Sequence, residues 1–144
     1  MMRSFRRIVL ETGIAGGLLF AIHASFPYVY SWPLIWPPLA GAAACWLVTR
    51  EPRPHRLRSG LAASFTSGVI IGVIAFVVLS AVVYVVVHTD MFPAVRQSGA
   101  PKGLATAAGT LAAASLSAIA VVLTVVGGLL TLPVRYFQTR RAHA

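Results

Sequence analysis

Acidic residues are nearly absent: three Asp and Glu stand against twelve Lys and Arg in 144 residues. Charged residues of both signs make up 10% of the chain, where a soluble domain carries about 25%. So few charges cannot solvate the surface of a water-soluble domain of this length. There is one cysteine, Cys45, which excludes an internal disulfide and any cysteine-based metal spacing. It reads as a small packing residue. No Ser/His/Asp set, phosphate-binding glycine loop or zinc spacing can be assembled from the rest. The expectation is a non-enzymatic chain with no metal and no cofactor.

Apolar residues fill the space. They make up 58% of the chain, and its mean hydropathy is +0.81. They fall into four runs, residues 8–30, 34–49, 61–87 and 104–134. A helix crosses a bilayer with about 20 apolar residues. The pattern predicts an all-α integral membrane protein, one domain over 1–144, with four transmembrane helices forming a bundle. The second run is short. Pro37 and Pro38 lack the N–H that a helix interior needs, so regular helix is expected to begin near Pro37. The third and fourth runs exceed the bilayer and must tilt or project from it. Run one is read as a span rather than a cleaved signal, because Glu11 interrupts its apolar stretch and bulky Ile22 occupies the −3 position.

The basic residues are sorted to one side of these runs. Arg3, Arg6 and Arg7 precede run one. Arg50, Arg53, Arg56 and Arg58 separate runs two and three, and Arg135, Arg140 and Arg141 follow run four. The other two connections hold only Arg96 and Lys102. This asymmetry places both termini and the middle loop in the cytoplasm of a multi-pass protein of the plasma or inner membrane. Arg50, Arg53, Arg56, Arg58, Arg135, Arg140 and Arg141 would then meet an anionic inner leaflet. The net charge of +9 is thereby topogenic, and nucleic acid is not the expected partner. Tyr28, Tyr30, Trp32 and Trp36 would line the outer interface, Trp46 and Tyr136 the inner one.

Small residues mark helix contacts. Gly13 and Gly17 in run one match Gly68 and Gly72 in run three, each pair a small-xxx-small pattern for close approach. The match raises two helical hairpins in tandem as an architecture. Residues 105–120 are mostly Ala, Ser, Thr and Gly, a texture that packs on protein better than on lipid.

Two ionisable groups lie within the runs. Glu11 has Arg7 four residues before it on the same helical face, so an interfacial ion pair is expected. His23 is expected to hydrogen-bond within the bundle. His88 closes run three, and two histidines on two helices can ligate haem iron axially. The leading functional expectation is an accessory or structural subunit of a larger membrane complex, contacting other membrane-protein subunits or itself. The alternative is a small oligomeric transporter or channel using Glu11 or His23. A third reading is a haem-bearing electron carrier using His23 and His88.

Overall fold

The computed structural model describes residues 4–26, 32–50, 56–89, 97 and 99–141. All regular structure among them is helical. Helix α1 covers Phe5–Ser25, α2 Trp36–Arg50, α3 Arg56–His88 and α4 Lys102–Arg141. Ser4 caps α1, its hydroxyl accepting from the Arg7 amide at 3.3 Å. A single 3-10 turn, Pro33–Ile35, leads into α2. Pro37 and Pro38 fall in the first turn of α2, where an amide proton has no helical partner and its absence costs nothing.

Three helices are long and apolar enough to cross a membrane: Phe5–Ser25, Leu57–His88 and Lys102–Gln138. Helix α2 has only 15 residues. At 1.5 Å each it is about 22 Å long. The 3-10 turn adds roughly 6 Å. The two together approach the ~30 Å hydrocarbon thickness. In α4, Pro133 leaves the Leu129 carbonyl without its usual amide partner, although the helix continues to Arg141.

Contacts between named residues give the helix directions. Gly13 lies against Ile70 and Gly17 against Ile74, so α1 and α3 run parallel. Gly60 meets Thr49 while Ser64 reaches Gly41, so α2 opposes α3. Gly72 meets Val121 while Gly109 meets Val83, so α4 opposes α3 as well. The start of α1, the end of α2, the start of α3 and the end of α4 therefore share one end of the molecule. Arg6, Arg7, Arg50, Arg58 and Arg135 all lie toward that basic end, and Lys102 lies at the opposite end. Helices α2 and α3 touch every other helix, while α1 and α4 flank them with at most marginal mutual contact among the described residues.

Two buried layers join the helices. Ile8, Val9, Ala44, Val48 and Ala63 cluster near the basic end. Further along, Phe20 clusters with Ala40, Ile71, Ala75 and Ala120, with Trp36 at the margin. Among the described residues Phe20 is the largest fully buried side chain, and three of its four buried neighbours are alanines, so one large ring fills a socket of small residues. Outside these layers the surface stays apolar. Only 22% of the most apolar stretch of α3 is buried against protein. Leucine, valine, isoleucine and phenylalanine make up most of the remainder, an exposed area that water would not tolerate and lipid accepts.

Candidate functional site

Among the described residues no group of three or more His, Cys, Asp or Glu could hold a metal ion. The described residues instead present close helix contacts and a few polar groups. Gly13 and Gly17 face Ile70 and Ile74 across α1 and α3; a methyl built on Gly13 would lie 2.9 Å from Ile70 Cβ. Gly68 and Gly72 face α4 instead. A methyl on Gly68 would lie 3.2 Å from the Val121 carbonyl, and one on Gly72 2.7 Å from Val121 Cγ2. The two similar glycine pairs thus serve two different interfaces.

The tightest approach is elsewhere, between α2 and α4. A methyl on Gly41 would overlap the Thr124 carbonyl, and one on Gly127 would overlap the Pro38 carbonyl. One on Gly128 would strike the Ser64 hydroxyl. Backbone therefore packs on backbone at this crossing, which only glycine permits. The sequence signals for it, Ala40-Gly41 and Gly127-Gly128, stand in runs that the repeat argument did not use.

Hydroxyls stitch the same interfaces. Ser64 Oγ donates to the Gly41 carbonyl at 2.9 Å, joining α3 to α2. Thr12 and Ser67 share a hydrogen bond at 3.0 Å, and Ser67 also donates to the Val9 carbonyl at 3.3 Å, joining α3 to α1. Thr124, Ser117 and Thr49 instead donate to carbonyls of their own helices, satisfying buried hydroxyls without help from a partner helix.

Glu11 accepts from Arg7 Nε at 2.7 Å in an i,i+4 pair near the basic end. Both side chains are well exposed, at 61% for Arg7 and 42% for Glu11. His23 bonds the Leu19 carbonyl through Nδ1 at 2.8 Å, and its ring lies 5.5 Å from that of Trp36. His88 bonds the Tyr84 carbonyl at 2.9 Å and stacks on the Tyr84 ring. The two histidines are not brought together. The parallel register of α1 and α3 sets His23 level with residues near Ser80, leaving His88 roughly 12 Å further along the bundle.

Arg50 and Arg58 are exposed at the basic end. Arg56, Arg140 and Arg141 belong to helical backbone there, and Arg53 lies outside the described residues, as do Tyr28 and Tyr30. Arg135 differs from the others. Its guanidinium lies 3.9 Å above the Trp46 ring, and Nη2 donates to the Trp46 carbonyl at 3.2 Å. A cation thereby sits near the last turn of α2, where the helix dipole favours positive charge.

One face of α4 remains uncovered. Ala113, Ser117 and Ala120 are buried, while Ala107, Ala108, Ala112, Ser115 and Ala118 are exposed. The free side of the outer half of α4 thus mixes these small residues with exposed Leu104, Leu111, Leu116 and Ile119. No protein-family model matches the sequence, and no curated protein or solved structure is significantly similar to it.

Proposed function

We propose that this chain is a four-span protein of the plasma or inner membrane, both termini cytoplasmic, that serves as a non-enzymatic accessory subunit of a larger membrane complex. The observation that carries the reading is the run of exposed small residues on α4, Ala107, Ala108, Ala112, Ser115 and Ala118, interleaved with exposed Leu111 and Leu116. Alanine and serine give lipid chains little contact area, but they let a second helix approach closely. The sorting of basic residues to one end supports the orientation. The nearly bilayer-long combination of the 3-10 turn and α2 supports a fourth span. The parallel pairing of α1 with α3 fits two hairpins in tandem.

The test is affinity purification of the tagged full chain from native membranes in mild detergent. Unlike membrane subunits should co-purify in fixed ratio, and replacing Ala112 with Trp should release them while leaving the chain inserted. Recovery only as a homo-oligomer that moves a solute in liposomes would replace this reading with the transporter one.

A further inference from the structure

The helices are staggered at the end away from the arginines. Gly17 of α1 lies against Ile74 of α3. Eight residues further along each helix, Ser25 ends α1 at the level of Val82. Helix α3 continues for six more residues to His88, about 9 Å. On α4, Gly109 meets Val83, and the helix begins at Lys102, seven residues or about 10 Å further out. Helix α2 is short in the same way. Thr49 lies against Gly60, so the last turn of α2 is level with the start of α3. With its 3-10 turn α2 measures about 28 Å, whereas the apolar run 61–87 of α3 measures about 40 Å.

The projecting tip of α3 and α4 is apolar almost to its end. Tyr84, Val85 and Leu104 are exposed on it. Polar residues come only beyond them, His88 and Thr89 on α3 and Lys102 on α4, all exposed. A tip standing in water would carry its apolar side chains into solvent with nothing to cover them. The change from apolar to polar instead sets the hydrocarbon limit at Val87 and Leu104, well past the level of Ser25. A common tilt shortens all the helices in the same proportion, so the step survives it.

We infer that the bilayer is thicker beside α3 and α4 than beside α1, and that this side of the protein gathers phospholipids with long acyl chains. A bilayer meets an over-long apolar surface by thickening locally. Longer chains reach the added depth with the least distortion. The selection is by chain length, and no charged side chain takes part in it, so a neutral headgroup suffices.

The inference rests on the reading that the chain spans a bilayer with its arginines at one surface. It needs no partner subunit, and the purified full chain tests it, so failure to capture a partner leaves it standing. The Cys45→Ala chain is placed in phosphatidylcholine nanodiscs, which leave both surfaces open, and single cysteines are offered a charged maleimide. Tyr84→Cys and Leu104→Cys should react at least roughly tenfold more slowly than Gln97→Cys, because a charged reagent is excluded from hydrocarbon. Equal rates would put the tip in water and overturn the inference. The second measurement uses discs of mixed dipalmitoleoyl- and dierucoyl-phosphatidylcholine, followed by native mass spectrometry of the lipids that the released chain retains. The longer lipid should be enriched by roughly twofold or more over the disc. Tyr84→Lys combined with Leu104→Lys moves the polar limit inward and should abolish the enrichment. Equal retention of the two lipids by the wild type, or unchanged enrichment in the double variant, would also overturn the inference. The wild-type enrichment and the cysteine rates decide alone if the double variant fails to insert.

Discussion

Replacing Gly41 with alanine isolates the energy of the α2–α4 crossing. The added methyl would overlap the Thr124 carbonyl oxygen and lie 2.7 Å from its carbon. Neither atom can swing aside, because both belong to the α4 backbone. Relief requires α2 to move away from α4, and that movement also loosens Pro38 from Gly127 and Trp46 from Arg135. Overpacking in a filled core costs about 1–3 kcal/mol, and a clash with backbone belongs at the upper end. Alanine returns about 1 kcal/mol through its better helix propensity. The expected net loss is about 2 kcal/mol, roughly a thirtyfold shift in the folding equilibrium. Gly72→Ala is the control. Its methyl meets only the Val121 Cγ2 at 2.7 Å and the Ser117 carbonyl at 3.4 Å. A rotated valine costs about 0.5–1.5 kcal/mol, which the propensity gain offsets. Gly103, with nothing within 4 Å of a new methyl, should be neutral or slightly stabilised by alanine. Reversible unfolding in mixed micelles, followed by tryptophan fluorescence, measures all three. Equal stabilities for Gly41→Ala and Gly72→Ala would show that the crossing is not close-packed and would refute the reasoning.

Reporter fusions after Arg58 and at the C-terminus should read cytoplasmic and one after Gly99 external; the opposite pattern would reverse the proposed orientation. Glu11→Gln should cost only about 0.3–0.5 kcal/mol, the worth of an exposed i,i+4 pair, and loss of cellular function in a normally inserted variant would favour ion coupling. Ser64→Ala should lose about 0.6–2 kcal/mol through its bond to the Gly41 carbonyl, measured by the same unfolding assay. His23→Phe keeps the ring packed near Trp36 and removes a bond made within its own helix, so a modest stability change without loss of assembly is expected.

Hydropathy located the elements because lipid imposes a single strong condition: every backbone polar group must be satisfied within the segment. That condition makes long apolar runs into helices whatever their neighbours. It fixes ends less well. Helix α1 starts at Phe5, ahead of the apolar run, because Ser4 supplies a cap and the arginines are good helix formers. It ends at Ser25, before Pro27, since the residue preceding a proline leaves the helical region. At the other extreme α4 runs through Pro133 to Arg141, well past the apolar limit, because a charged amphipathic turn costs nothing once the helix has left the hydrocarbon.

The contacts were less legible, for a reason of geometry. A small-xxx-small pattern declares that some helix comes close but carries no information on which one. Gly13 and Gly17 accept α3, whereas Gly68 and Gly72 accept α4. Similar motifs therefore have different partners, so their likeness does not by itself argue for duplication. The crossing of α2 on α4 depends on a glycine in each helix, joined by a proline carbonyl and a serine from a third helix. None of these stands out alone. Arg135 makes the same point for charge. Counted with its neighbours it is one of several basic residues at one end, but its place eight positions past Gly127 lays it over Trp46 rather than into water. A residue's distance along one helix from a crossing point decides what it can reach on the other. That distance becomes readable only when the crossing itself is known.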